Sequence, residues 1–427
     1  MKPALWIIIP LLAITGVVSA QQLGDPVVIT SAPGPQQFPD VAYNPKDNTF
    51  LVVWENVVAE NVAEIQGVVL SGDTGKPTGN PVTLMSDPAS GIEAPEIAYN
   101  SVADEYLVVA RKRQGEIAVA QRVSAQGQRI GDLIEIGTST GPTFFDPAAR
   151  ARVVSVAFNA LDKLYFVGLA QPSGQMLTAD GNLDFAIPQF GIGTNPSVSW
   201  SSKSNVYLMA WEDRESRDTG AENLSAQLIS HTGDLIGDII RVRDQEFAEE
   251  SPRIAYNPDD DRFLVIWDER IGFAPGNNTA TDTIGQMIGA DGKKIGQPIP
   301  IEAGTAYTLR QDVDYSPSQK VFLVVWKGDE NPSFAFADIK GRFVGRDGSL
   351  LSDILTIYDG GDDDTDEGNS EQYYDESKLP VVAVNTKTGN FLVVWEESGT
   401  TRDPQKRDIW SRTVTYAVNV KDWSILN

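Results

Sequence analysis

The stretch Phe50-Leu51-Val52-Val53-Trp54 decides the fold of this chain, because variants of it recur at intervals of 42 to 69 residues. Four close copies lie at residues 207–211, 263–267, 322–326 and 391–395. Two divergent copies lie at residues 106–110 and 165–169. Self-similarity at a period of this size is typical of repeat architectures. Seven copies therefore predict seven repeats of one small structural unit.

Each copy of this stretch is apolar on both of its faces. In a strand, Phe50, Val52 and Trp54 point to one side, and Leu51 and Val53 point to the other. A strand with one solvated face alternates apolar and polar residues, whereas a strand buried on both sides need not. Each repeat must therefore form a small sheet that is covered by a neighbour on either side.

Turn-forming residues place this strand second in a hairpin. A short strand precedes it, and an aromatic or apolar residue lies 11 residues before the Trp position in all seven copies, as Tyr43 does before Trp54. The connecting residues 44–48 favour a tight turn. A third strand and a fourth follow, for example at residues 65–70 and 80–84. Four antiparallel strands per repeat predict an all-β fold, a seven-bladed β-propeller of four-stranded blades.

The two ends of the chain compete for one place in the last blade. The last repeat ends soon after its third strand, residues 409–420, and needs a fourth. Residues 25–30 match the fourth-strand pattern, and residues 422–426 are the alternative. We predict that the N-terminal strand closes the ring, which removes two open edges. The surplus tail then offers a route to self-assembly through the terminal strands, by strand addition.

The repeats resemble exported β-propeller proteins of bacteria and archaea that carry repeated Phe-Leu-Val-Val-Trp strands and have no characterised activity. The resemblance covers nearly all of the chain after residue 20. It implies a propeller fold and an extracellular or periplasmic location, but no activity. The Gly-His and Trp-Asp marks of WD-repeat propellers are absent from the sequence.

The first 20 residues have the pattern of a secretion signal. Lys2 precedes an apolar run at residues 4–18, and Val18-Ser19-Ala20 suits cleavage by a signal peptidase. A membrane anchor is the alternative, but the run is short and polar sequence follows at once. We predict a signal peptide at residues 1–20 and a single propeller domain at residues 21–427, secreted and without a membrane span.

The net charge restricts the binding partners of the chain, and the cysteine count restricts the bonds that stabilise its fold. The formal net charge is −25 and there is no cysteine. Disulfides are therefore impossible, and packing and strand pairing must hold the fold. Nucleic acid and anionic membrane surfaces are disfavoured as partners, because both repel so negative a protein.

Variable loops are expected on one face of the predicted ring. In a four-stranded blade, the connections after the second and fourth strands lie on one face, and the hairpin turns lie on the other. The former are long and irregular here, as at residues 212–223 and 359–378. Variable loops on a rigid scaffold mark a binding face, although neutral drift produces the same pattern. We expect a protein or carbohydrate partner at this loop-rich face.

Carboxylates follow the Trp position in five repeats. They are Glu55, Glu212, Asp213, Asp268, Glu269, Asp329, Glu330, Glu396 and Glu397. Blade six places Lys327 before its pair, and blades two and three carry Arg111 and Ala170 instead. A partial acidic ring of this kind either binds a cation or basic group, or only keeps the strand ends solvated.

One loop, residues 359–376, holds nine carboxylates with no intervening Lys or Arg. Hard oxygen ligands select Ca²⁺, and Asp362, Asp364 and Asp366, with Glu367 beside them, keep the alternate spacing of a calcium loop. The match to an EF-hand then fails, since Gly368 comes one place late. A Ca²⁺ site and a solvated acidic loop both remain open, and no other cofactor is predicted.

Catalysis has little support in the sequence. His231 is the only histidine, so a Ser-His-Asp arrangement and a His-based metal site are disfavoured. A pair of carboxylates suffices for glycoside hydrolysis. We therefore rank first a non-catalytic extracellular propeller that binds a partner or ligand through its acidic, loop-rich face. A carboxylate-based glycoside hydrolase or lyase comes second, and a structural subunit of a cell-surface or extracellular assembly comes third.

Overall fold

A computed structural model describes residues 18–59, 62–138, 153–213, 223–243, 249–271, 280–304, 307–329, 338–360, 379–397 and 407–419. Over these ranges the ordered elements are β-strands. No helix among them is long and apolar enough to cross a membrane.

The strands fall into seven sets by their order within each repeat. The first strands are β3 (Gln36–Asn44), β7 (Ile92–Asn100), β11 (Val154–Asn159), β15 (Gly193–Ser201), β19 (Glu249–Asn257), β23 (Tyr307–Ser316) and β27 (Val381–Val384). The second strands are β4 (Thr49–Ala59), β8 (Glu105–Lys112), β12 (Leu164–Leu169), β16 (Val206–Asp213), β20 (Arg262–Ile271), β24 (Val321–Asp329) and β28 (Phe391–Glu397).

The third and fourth strands lie outward of these. The third strands are β5 (Val62–Ser71), β9 (Ile117–Ser124), β13 (Ser173–Thr178), β17 (Asn223–Ser230), β21 (Ala280–Gly289), β25 (Asp338–Gly345) and β29 (Asp408–Asn419). The fourth strands are β6 (Val82–Met85), β10 (Arg129–Thr138), β14 (Leu183–Ile187), β18 (Leu235–Arg243), β22 (Lys294–Glu302) and β26 (Leu355–Tyr358). Two N-terminal strands, β1 (Val18–Leu23) and β2 (Val27–Thr30), occupy the outer position of the last sheet.

Within each blade the strands pair antiparallel, and they follow chain order except in the last blade, where β1 and β2 pair with β29. One parallel pair, Thr281 with Tyr307, joins blades five and six. The first strands contact one another in sequence, from β3 through β7, β11, β15, β19 and β23 to β27, and β27 contacts β3 again. A closed circuit of first strands makes a ring with a central channel. The fold is therefore a seven-bladed β-propeller of four-stranded antiparallel blades, as predicted.

The two faces of a second strand pack against different neighbours. In blade one, Phe50, Val52 and Trp54 share a core cluster with residues of blade seven, whereas Leu51 and Val53 share a cluster with residues of blade two. The five Trp side chains at this position are all at most 1% exposed. The unbroken apolar pattern of these strands is thus explained by burial between blades.

The N-terminus closes the ring. Val27 in β2 pairs with Ser411 of β29, and Leu23 in β1 pairs with Val414 of the same strand. The prediction that an N-terminal strand completes the last blade is confirmed. The alternative segment, residues 422–426, lies outside the described residues. Because β1 begins at Val18, it overlaps the last three residues of the predicted signal peptide, whose cleavage stays a prediction.

Two faces follow from this strand order. The turn face carries the hairpin turns between first and second strands and between third and fourth strands, such as residues 45–48 and 125–128. The loop face carries the connections after the second and fourth strands, such as residues 86–91 and 188–192. The first strand of every blade begins at the loop face and lines the channel.

Candidate functional site

In five blades, a residue with a left-handed backbone conformation lies near the start of the first strand, at the loop face. The residues are Phe38 (φ 53°), Ala94 (φ 52°), Asn195 (φ 52°), Ser251 (φ 55°) and Arg310 (φ 60°). Each lies within a break in the register with the second strand, which is the mark of a β-bulge. A positive φ is uncommon for residues other than Gly, so surrounding contacts must hold this conformation.

Buried carboxylates from the preceding blade hold four of these bulges. The backbone N–H of Phe38 donates to Glu396 at 2.9 Å, and that of Ala94 donates to Glu55 at 3.3 Å. The backbone N–H of Ser251 donates to Glu212 at 2.7 Å, and that of Arg310 donates to Asp268 at 3.1 Å. We call Glu55, Glu212, Asp268 and Glu396 the clamp acids, since each one ties its blade to the next.

The clamp acids are at most 2% exposed. A buried carboxylate is stable only when hydrogen bonds replace its lost hydration. The second oxygen of Glu55 accepts a bond from Gln37 at 2.7 Å, and Glu212 also accepts one from Asn195. Burial raises the pKa of Asp268 well above its ordinary value, although the backbone N–H of Arg310 opposes the shift.

Of the acids one position further on, Asp213 is held inside its own blade and Glu269 is held by the preceding blade. Asp213 accepts bonds from Arg241 and, at 2.7 Å, from the Ser225 hydroxyl. The two oxygens of Glu269 accept hydrogen bonds from Nε and Nη2 of Arg243, at 2.7 and 2.8 Å. Glu397 is buried at the end of β28.

The burial of these carboxylates corrects the expectation that they are solvated, whereas their role in ligand binding stays a prediction. The idea that the acids keep strand ends solvated is wrong for the clamp acids, Asp213 and Glu397, because they are buried. A role for the acids in ligand binding stays a prediction. Of the rest, Asp329 ends β24, and Glu330 lies outside the described residues.

The candidate calcium ligands Asp362, Asp364, Asp366 and Glu367 also lie outside the described residues. Within the ranges that the structure describes, no three His, Asp or Glu side chains converge in a way that would hold a metal ion. The calcium site stays a prediction.

Blade six has a different link to blade seven, because Lys327 replaces the clamp acid. Here Asp312 and Asp314 of β23 accept the backbone N–H groups of Val382 and Val384, each at 2.8 Å. Burial raises the pKa of Asp314 to about 7. The Asp312 position recurs in blade one, where Asp40 accepts the backbone N–H of Ile97 at 2.8 Å. Sequence reasoning missed these links, although an isolated polar residue within an apolar strand was their signal.

On the turn face, side-chain hydrogen bonds also connect neighbouring blades. The side chain of Asn44 accepts the N–H of Lys46 at 2.8 Å and donates to Asp104 of blade two at 3.0 Å. Asn385 links blade seven to Asn48 of blade one in the same way, at 3.0 Å. His231 lies on this face, with Nδ1 3.1 Å from Asp162. The repeated polar residues of the hairpin turns therefore serve the fold.

The mouth of the channel at the loop face is an open cavity. Its walls combine bulge residues and their neighbours from blades one, four, five and six with the segment that leads into blade seven. The lining residues are Phe38, Asn195, Ser251, Arg253, Arg310, Gln311, Leu379 and Pro380. The lining thus includes two arginines and two amide side chains, and the clamp acids bind the backbone of three of the lining residues.

No known protein-family model matches this chain, and comparison with curated proteins finds no match. Solved structures do match in fold. A protein of unknown function from Dyadobacter fermentans has a TM-score of 0.54 and 11% identity, over 93% of this chain and 99% of that one. The β-propeller domain of Cps50 (Swd1) from Myceliophteria thermophila has a TM-score of 0.51 and 10% identity, over 92% and 99% of the two chains.

Raptor from Chaetomium thermophilum has a TM-score of 0.54 and 9% identity, over 91% of this chain and 29% of that one. At identities this low, the similarity shows the propeller fold alone.

Proposed function

We propose that this chain is a non-catalytic, exported propeller that binds a partner or ligand through its loop face. The observation that carries the proposal is the cavity at the channel mouth, where side chains from separate blades meet around an open space. Concave sites with a few convergent polar groups are the usual form of ligand sites. On the turn face, by contrast, the repeated polar side chains form hydrogen bonds between neighbouring blades.

The clamp acids favour binding over glycoside hydrolysis. That reaction needs two carboxyl groups that face the scissile bond from a site open to substrate. Glu212, Asp268 and Glu396 border the mouth through the bulge residues, but each is buried and accepts a backbone N–H. Using one of them as an acid or nucleophile would break a link between blades.

The proposal includes a Ca²⁺ ion bound by the acidic loop. In the sequence, residues 359–376 lie between β26, which ends at the loop face, and β27, which begins there. Asp362, Asp364, Asp366 and Glu367 would supply oxygen ligands to a Ca²⁺ ion, whose charge would offset the repulsion within the loop. The partner is a protein or a carbohydrate, since the net charge of −25 disfavours nucleic acid.

The absence of cysteine from the sequence allows a direct test. Ala59→Cys places a single thiol on the loop face, and Gln126→Cys places one in a turn on the opposite face, both at exposed positions. A large polyethylene glycol chain attached to each thiol would block the face that carries it. The probes are polygalacturonate, alginate, peptidoglycan and poly-lysine.

We expect at least one probe to bind the unmodified chain and the Gln126→Cys conjugate, and to bind the Ala59→Cys conjugate at least tenfold more weakly. Equal binding by the two conjugates, or loss with the Gln126→Cys conjugate alone, would place binding elsewhere. If none of the four probes binds the unmodified chain, the proposal fails for these partner classes.

A further inference from the structure

We propose that the cavity at the channel mouth binds a neutral saccharide. This inference rests on the proposed function and names the ligand class for its site. Three properties of the cavity wall lead to it, namely its charge, its hydrogen-bonding groups and its apolar surface.

The charged side chains of the wall favour a ligand without a net charge. Arg253 and Arg310 both line the cavity, and the Nε atom of Arg253 lies 4.0 Å from a carboxylate oxygen of Asp312. Burial raises the pKa of the Asp268 carboxyl, and the nearby charges of Arg310 and Arg253 oppose this rise. Both arginines therefore have an acidic neighbour and do not require an anionic ligand. Their permanent positive charge disfavours a cationic one.

Two amide side chains in the wall have a fixed orientation. The NH₂ group of Asn195 donates to Glu212, and that of Gln311 donates to the Ser251 carbonyl at 2.6 Å. Since Glu212 also accepts the backbone N–H of Ser251, these bonds run from blade four through blade five to blade six. At the position of Gln311, blades one, two, four and five have a proline, so this amide is a departure from the repeat.

The oxygens of both amides lack a hydrogen-bond donor. Asn195 and Gln311 are 8% and 2% exposed, and among the described residues neither Asn195 Oδ1 nor Gln311 Oε1 accepts a hydrogen bond. A buried acceptor without a donor is uncommon in folded proteins and indicates a bound group, such as a ligand or an ordered water. A saccharide hydroxyl supplies a donor, directly or through one water, and it can still accept a hydrogen bond from an N–H group.

The rest of the wall is apolar. Phe38, Leu379 and Pro380 line the cavity beside the amides and the arginines. The faces of a pyranose ring carry C–H groups that pack against such a surface, whereas its hydroxyl groups project from the edge of the ring. A purely apolar ligand would leave the amide oxygens without donors, and a small polyol would leave the apolar surface uncovered. A neutral saccharide fits the charge, the acceptors and the apolar surface together.

Calorimetric titration of the full chain with trisaccharides at millimolar concentration tests the proposal. The neutral probes are maltotriose, cellotriose and xylotriose, and the charged probe is trigalacturonate, which carries a carboxylate on each ring. We expect at least one neutral probe to bind. Trigalacturonate should bind no more tightly than that probe, because the arginines already have acidic neighbours.

Gln311→Met removes the amide at nearly constant size and should lower the affinity for the neutral probe about threefold to tenfold. Gln121→Met is the matched control. Gln121 is also buried, its NH₂ group donates to the Ile130 carbonyl at 2.9 Å, and its Oε1 has no donor within the described residues. It lies in blade two and does not line the cavity, so its substitution should leave the affinity unaltered. A thermal melt checks that both variants are folded.

Phe38→Ala tests the apolar part of the wall. This variant keeps the backbone N–H that binds Glu396 and removes the aromatic surface. It should lower the affinity for the neutral probe at least about threefold.

Equal affinities of the Gln311→Met and Gln121→Met variants would mean that an ordered water alone occupies the amide oxygens, and would overturn the inference. So would failure of all three neutral trisaccharides to bind the folded chain, or tighter binding of trigalacturonate or of a blocked alanine tripeptide. If no neutral trisaccharide binds but one of the four polymers binds in the loop-face assay, the proposed function stands and this inference alone is wrong. If neither a trisaccharide nor a polymer binds, both fail.

Discussion

Glu212, in blade four, accepts the backbone N–H of Ser251, in blade five, at a distance of 2.7 Å. Ser251 has a φ of 55°, and the carboxylate that receives its N–H is 2% exposed. The acid that follows a buried Trp therefore holds a strained residue near the start of the first strand of the next blade. The same relationship joins Glu55 to Ala94 and Glu396 to Phe38.

Removing this acceptor should destabilise the ring. We expect Glu212→Ala to lower the free energy of unfolding by about 1–3 kcal/mol, because the half-buried N–H of Ser251 and the amide of Asn195 both lose their acceptor. Glu212→Gln keeps one acceptor oxygen and should cost less. Urea denaturation of the two variants measures the difference, and a stability of Glu212→Ala equal to that of the parent would show that the clamp is dispensable.

Asp314 should make stability depend on pH. Its pKa is raised by burial from 3.8 to about 7, so the folded chain binds the proton more tightly than the unfolded chain does. The stabilisation is complete below about pH 3.8 and is lost as the pH rises through about 7. The slope is at most about 1.4 kcal/mol per pH unit.

Asp314→Asn removes the titrating group and keeps an oxygen for the N–H of Val384. The free energy of unfolding of the parent, measured relative to this variant, should therefore fall between about pH 4 and pH 7. Parallel stability curves for the two proteins over this interval would contradict the assignment.

The two ends of the chain should differ in their importance for closure. Deletion of residues 21–30 removes β2 and the second half of β1 from the outer edge of β29, including the pair between Val27 and Ser411, and exposes a strand edge. We expect a lower melting temperature and aggregation on size-exclusion chromatography.

Deletion of residues 421–427 is the matched change at the other end. We expect it to leave the fold intact, because β1 and β2 already occupy the edge of β29. Loss of a higher-order assembly in this variant, with the fold retained, would favour the structural-subunit hypothesis. An unfolded product would mean that the tail is needed for closure.

Calcium should stabilise the chain if the acidic loop binds it. A ligand that binds only the folded state raises the melting temperature, so millimolar Ca²⁺ should raise it and a chelator should reverse the change. The double substitution Asp362→Asn with Asp364→Asn should abolish the response. Melting curves that do not change with Ca²⁺ or chelator would reject a tight site.

Much of the fold was determined by the sequence itself. The unbroken apolar run from Phe50 to Trp54 required cover on both faces, and its recurrence required seven such units. The apolar residues Val27 and Ile29, at alternate positions, indicate the strand that closes the ring. These inferences succeed because buried positions require apolar side chains, and these side chains recur in the sequence with the period of the structural repeat.

The role of the clamp acids and the lining of the channel mouth were decided only by the tertiary structure. Glu212 bonds to the backbone N–H of Ser251, and every residue other than Pro has such a group, so the partner leaves no mark in the sequence. The mouth joins Phe38 to Pro380, which lie at opposite ends of the chain and meet only when the ring closes. Side-chain patterns record what is buried, whereas the position of one blade against another determines which groups meet.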